Sequence, residues 1–441
     1  MENPLNNFII NFTSFFVERN FTAKEIKNAA KIFRIHNEKL KDKGEISFSV
    51  AAGIWEKYFG QTTNNLGLCD KLEDTETQRE TLQQLLDSAS HWMPYPVQEL
   101  IIAETRCVVF LNRYICIEAL LKQVLTAGNE NGQNPFGVLK KRCDRKIQLK
   151  ENETRRDGTS LPMYRASLIN SVLRRILFYS EWMEVEDNVT HDDNVLRLRV
   201  ISVTEDMYKN DKHSVFVKCG SVLDPTTGKL AKLQTQEYLN LRTADMRLMA
   251  MHKYGIRTKN DQPFIGLMER LGEAAVTVDL LEVKHSTPVQ LIRNGQGSTK
   301  GASFILYNSA RLETLLRKFE NLVANSTYSE LPSMDATNFK LLSEEEEWQL
   351  CFGYILQFPY LIERCLEQIE RGVCSTHLIV RYLSGFVAVF SIYYRRVRIL
   401  TQETRTHLMP YVYARIYLIK AVRVVLNQTL ALLDIKPMAF M

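Results

Sequence analysis

Residues 381–400 read RYLSGFVAVFSIYYRRVRIL, and the fold of the last third of the chain turns on this stretch. Leu383, Phe386 and Phe390 recur three and four apart, the spacing of one buried helical stripe. Phe386 and Phe390 therefore read as core. Behind them come Tyr393, Tyr394, Arg395, Arg396 and Arg398. Adjacent residues on a helix point in different directions, so some of this group must face outward. The apolar run at 378–394 is short for a membrane span, which needs about 20 residues, and it holds Arg381. A helix of a soluble protein is the expectation.

The flanks extend the pattern. Between positions 378 and 433 stand eight Lys and Arg (381, 395, 396, 398, 405, 415, 420 and 423) against one acid, Glu403. That local excess is larger than the net +5 of the whole 441-residue chain. Tyr382, Tyr411, Tyr413 and Tyr417 join the aromatics already named. Cations suit phosphates and flat rings suit unstacked bases, the two needs of a single-stranded RNA loop. Tyr393, Tyr394, Arg395, Arg396, Arg398, Arg415 and Arg423 are thus candidate RNA contacts. Helices are expected over 306–322, 344–368, 376–401 and 411–433, with Pro332 and Pro410 at the joins.

Upstream the pattern is less regular. Residues 1–127 read as a helical region: Phe8, Phe12, Phe15 and Phe16 recur at helical spacing, and 23–40 carries Ile26, Ala29, Ala30 and Phe33 on one stripe. Thr22 and Glu25 have the spacing of a capping box. A longer helix is expected over 97–125. The turn-rich segment AGNENGQNPFG (127–137) opens a basic linker, 128–160, holding Lys140, Lys141, Arg142, Arg145, Lys146, Lys150, Arg155 and Arg156. Lys140, Lys141, Arg142, Arg145 and Lys146 read equally as a solvated surface or as a phosphate-binding arm. A mixed α+β region, 161–299, follows. Strands are expected at 196–203 and 214–219, a turn at DPTTGK (224–229), and a strand or short helix at 276–283.

Four segments of the last third, 300–441, resemble arginyl-tRNA synthetases. LYNSARLETLLRKFE (306–320) is similar to the first helix of their anticodon-binding domain, through Tyr307, Ala310-Arg311 and Arg317-Lys318. LLSEEEEWQLCFGYILQFPYLIERC (341–365) is similar to its acidic helix start and the Phe358-Pro359 break. The 381–400 stretch resembles the helix that brings an aromatic to the anticodon. ARIYLIKAVRVVLNQTLALLDIKPMAFM (414–441) resembles the synthetase terminus, down to Met441. The resemblance implies an all-α bundle, the DALR anticodon-binding domain, after a mixed α/β region, so the expected class is α+β and predominantly helical. It also implies tRNA contacts at Tyr307, Arg311, Arg317, Lys318, Tyr394 and Met441. Two positions depart from the pattern: Arg398 replaces a second aromatic, and Asp434 replaces the glycine before the final isoleucine.

Catalytic signatures are missing upstream. No two of the eight histidines lie within four residues of each other, so the His-x-Gly-His type signature of a class I synthetase is absent. GQGSTKG (295–301) with Lys300 reads as a linker rather than a lysine loop. There is no G-x-x-x-x-G-K-[ST] and no strand-borne G-x-G-x-x-G. The eight cysteines form no C-x-x-C pair, and the N-terminal MENPLNNFIINFTSFFVERN lacks the basic start of a signal peptide, so a cytoplasmic protein without metal is expected. An anticodon domain without a synthetase site resembles the DALR anticodon-binding domain-containing protein 3 family. That resemblance implies a non-catalytic adaptor for arginine tRNAs. Its partner would be a methyltransferase that forms 3-methylcytidine in the anticodon loop, and that partner would carry the S-adenosylmethionine. The alternative is a divergent arginyl-tRNA synthetase.

Overall fold

The computed structural model describes residues 1–17, 25, 29–59, 75–127, 135–150, 159–185, 194–203, 213–254, 262–291, 301–401 and 406–438. They gather into two compact units. One comprises Met1–Gly137, Leu316–Tyr360 and Val389–Val425; the other comprises Val138–Leu315, Leu361–Ala388 and Leu426–Met441.

The first unit begins with α1 (Pro4–Phe16). Asn3 caps it by accepting from the Leu5 N–H at 3.1 Å, with Pro4 in the first turn. Its buried stripe, Leu5, Phe8, Ile9, Phe12 and Phe16, faces an aromatic core. The Phe12 ring lies 5.2 Å from Phe48 and 4.8 Å from Trp92. Phe48 belongs to an antiparallel sheet of β1 (Phe33–Ile35), β2 (Ile46–Ser49), β3 (Val97–Ala103) and β4 (Arg106–Leu111), in the order β1-β2-β4-β3.

Two helical expectations are corrected by this sheet. The stripe at 23–40 does not continue as helix, because Phe33–Ile35 pairs with Ile46–Ser49 as a strand. Thr22 lies outside the described residues. The helix expected over 97–125 is a β3–β4 hairpin followed by α2 (Arg113–Ala127). In β4 the buried residues Cys107, Val109 and Leu111 alternate with half-buried ones, the period of a strand. Residues 1–127 are therefore a mixed region rather than a helical one.

The second unit holds a parallel sheet of β5 (Lys146–Leu149), β6 (Met183–Glu184), β7 (Val195–Ser202) and β8 (Val215–Cys219), ordered β6-β5-β7-β8. Parallel neighbours need a crossover, and α3 (Leu161–Tyr179) supplies it between β5 and β6. Both strands expected in this region are present. The 224–229 turn is held by Asp224 Oδ1, which accepts from Thr226 N at 2.9 Å and Thr227 N at 3.1 Å. Residues 276–283 resolve toward helix, as the end of α5 (Gln262–Leu281). This helix packs on α4 (Thr235–Tyr254) so closely that a Cβ on Gly272 would stand 2.9 Å from Thr243 Cα.

From residue 302 on, the described elements are helical: α6 (Ala302–Ala324), α7 (Glu345–Trp348) running into the π-turn Gln349–Ile355, α8 (Phe358–Leu366), α9 (His377–Arg396) and α10 (Met409–Leu432). The helix expected over 344–368 is divided as the Phe-Pro pair predicts, since Pro359 has no N–H to continue a ladder. By length and composition α9 could cross a membrane; in the fold it buries Leu383, Phe386, Val387 and Phe390. The class is α+β and predominantly helical, with a helical last third, as expected from sequence.

Candidate nucleic-acid interface

Three cations of the last third, Arg396, Arg398 and Arg415, gather where α9 ends and α10 begins. Arg396, Val397 and Arg398 leave α9, and Tyr411, Val412 and Arg415 enter α10. Together with Glu344, the N-cap of α7, they line a cleft of about 480 Å³.

Behind the cleft stands Glu347, whose side chain is fully buried. Its Oε1 accepts from Tyr393 Oη at 2.9 Å and from Arg415 Nε at 2.9 Å. Its Oε2 accepts from Glu344 N at 2.9 Å, one half of a capping box in which Glu344 returns the favour to the Glu347 N–H. Burial raises the Glu347 carboxyl above its ordinary range, opposed by the Glu344 N–H and by Arg415. Burial and then the Glu347 charge push the Tyr393 phenol well above its own.

Each cation has a different partner. Arg396 bridges Glu344 at 3.2 Å and Glu346 at 3.0 Å. Arg415 gives Nη1 to the Arg398 carbonyl at 3.2 Å and lies 5.7 Å from the Tyr411 ring centre. Among the described residues Arg395 and Arg398 meet only main-chain carbonyls, Ser391 and Leu400, each at 3.3 Å.

The fold therefore unites Arg396, Arg398 and Arg415 from the sequence expectations. It corrects Tyr393, which is 0% exposed and spends its hydroxyl on Glu347, so it has no surface for RNA. Tyr394 is 37% exposed and Arg395 is exposed beside it. Arg423 is half-buried on α10, and Arg317 and Lys318 are exposed on α6. Arg311 is folded onto its own helix, donating to Tyr307 Oη at 2.8 Å with its guanidinium 4.6 Å from that ring. Met441 lies outside the described residues.

In the described part of the basic stretch, three cations make structural contacts, while Arg155 and Arg156 lie outside the described residues. Lys141 Nζ donates to the carbonyls of Leu177, Phe178 and Ser180 at 2.8, 2.9 and 2.9 Å, closing the C-terminus of α3. Arg142 pairs with Asp144 at 2.8 Å and Arg145 with Glu181 at 3.0 Å. Lys146 is the first residue of β5, and Lys140 is exposed.

Sequence reasoning missed Glu347 and left Tyr411 out of the site, although Tyr411 is 38% exposed at the cleft. The run Glu344–Glu347 was the available signal, since clustered carboxylates can form charge-assisted hydrogen bonds with the guanidinia of a cation-rich segment. Among the described residues no group of three or more His, Cys, Asp or Glu could hold a metal ion.

The model of the DALR anticodon binding domain family matches residues 305–441. The chain is 31% identical over 232 residues to DALR anticodon-binding domain-containing protein 3 of Danio rerio, spanning 50% of this chain and 40% of that protein. It is 28% identical over 269 residues to the protein of the same name from Rattus norvegicus, spanning 58% and 45% respectively. The chain thus covers less than half the length of these relatives. In fold it is similar to the arginyl-tRNA synthetase of Plasmodium falciparum, with a TM-score of 0.59 over 100% of both chains at 12% identity.

Proposed function

We propose that this chain, with a DALR anticodon-binding domain in its last third and a likeness to DALR anticodon-binding domain-containing protein 3, is a cytoplasmic tRNA-binding adaptor with no active site of its own. It takes arginine tRNAs to a methyltransferase that forms 3-methylcytidine in the anticodon loop. The S-adenosylmethionine belongs to that partner, and this chain carries no cofactor. The observation that supports the reading is the cleft at Arg396, Arg398, Tyr411 and Arg415, which lies inside the matched residues. Tethering a tRNA reader to an enzyme of generic RNA affinity raises the effective concentration of the right substrate.

The test is recovery of the tagged chain from cells, with the bound RNA sequenced and the bound proteins identified. Arginine tRNAs and a methyltransferase should be enriched together; recovery of RNA without that enrichment would sink the reading.

A divergent arginyl-tRNA synthetase is the second reading, favoured by the fold likeness over the whole chain and by the parallel sheet of the second unit. ATP-dependent charging of tRNA by the purified chain decides between them. The adaptor reading predicts none.

A further inference from the structure

We infer that the cleft divides its labour: Arg415, positioned by Glu347 and Tyr393, reads a base edge, while Arg398 supplies attraction to phosphate. This rests on the chain binding RNA as proposed above.

The pairing pattern carries it. Arg415 sits 2.9 Å from a buried carboxylate, so its charge is already compensated. A compensated cation releases few counterions on meeting RNA and adds little to affinity through charge alone. Its geometry is fixed, however: Nε is tied to Glu347 Oε1, Nη1 to the Arg398 carbonyl, and Tyr393 donates to that same Oε1 while the Glu344 N–H holds Oε2. The remaining N–H donors of the guanidinium have no protein partner among the described residues, and the side chain lines the cleft. A planar donor fork held in one place discriminates bases, because it fits an edge with two adjacent acceptors, such as guanine O6 and N7. Tyr411 beside it offers a face for the same base.

Arg398 is the opposite case. It is exposed, lines the same cleft and has no carboxylate partner among the described residues. An exposed, uncompensated cation is suited to phosphate, where position matters less than charge. Tyr393, which the sequence offers as a base reader, becomes a positioning residue one step behind.

The experiment measures binding of the full chain to an anticodon stem-loop RNA of an arginine tRNA, and to versions with each loop base replaced, over a range of salt. Thermal melts of every variant confirm folding. Arg398→Gln should weaken all RNAs alike and lower the log–log salt slope by about one, and Arg398→Lys should restore both. Arg415→Lys keeps the charge but loses the fork. It should keep the salt slope and reduce discrimination at one loop base by about tenfold or more. Tyr393→Phe should show part of that loss alone and none in the Arg415→Lys background. Wild-type discrimination retained by Arg415→Lys, or equal effects of Tyr393→Phe in both backgrounds, would overturn the inference while leaving RNA binding intact. A wild-type chain with no affinity for any of the RNAs would overturn the proposed function and this inference together.

Discussion

Arg165 is fully buried, and its guanidinium is held by four main-chain carbonyls: Thr287 at 2.8 Å, Gly220 at 2.9 Å, Leu280 at 3.0 Å and Lys284 at 3.1 Å. Burial alone would expel such a charge, so each bond offsets part of a desolvation cost. Arg165→Met, of similar volume, leaves the carbonyls without their donor. It should destabilise the chain by about 3 kcal/mol or more, read as a lower urea midpoint. Asp279 shows the same conflict with a titrating group. Burial raises its carboxyl to about 6, against the pull of Arg242 at 2.9 Å and of the Tyr238 hydroxyl at 3.0 Å. A raised folded value means that the native state holds the proton more tightly than the unfolded chain. The contribution of Asp279 is thus full below about pH 4 and is lost as pH rises through about 6, a change on the order of 3 kcal/mol. Asp279→Asn should flatten that slope. Unfolding measured at several pH values across this window checks it, and an unchanged slope would contradict it.

The end of α10 explains one departure from the synthetase pattern. Asp434 stands where a glycine is usual, and its φ is +60°, in the left-handed region. The turn is closed by Ile435 N donating to Leu430 O at 3.0 Å and Asp434 N to Ala431 O at 3.1 Å. Glycine adopts this conformation without the Cβ penalty. Asp434→Gly should therefore stabilise the chain by roughly 0.5–1 kcal/mol, less whatever the exposed pair with Arg175 contributes, read as a higher melting temperature. Legibility followed the same local rules elsewhere. The last-third helices were readable because long apolar stripes and prolines mark them. The β3–β4 hairpin was not, because its turn is Glu104-Thr105, which carries no Gly or Asn signal. Glu104 nevertheless takes φ +55°. Strand β5 was hidden in the basic stretch for a different reason: it is four residues long, and its charged first residue masks the buried Ile147 and Leu149.

At the scale of the whole chain, charge placement carries more information than net charge. Eight cations against one acid between 378 and 433 marked the segment that supplies most of the cleft's lining. Sequence could not show that Glu344, Glu346 and Glu347, up to 68 positions earlier, compensate two of those cations and leave Arg398 for solvent. Nor could it show that Tyr393 turns inward and Tyr411 outward, since both follow from packing of residues far apart in sequence. The affinity of the chain for RNA should accordingly fall with salt less steeply than eight free cations would give, because paired arginines release fewer counterions. The most direct measurement is a titration of the purified full chain with an arginine tRNA and with a tRNA for another amino acid, at matched salt. Tighter binding of the arginine tRNA by about tenfold or more is the expected result; equal affinity for the two, or none for either, would contradict it.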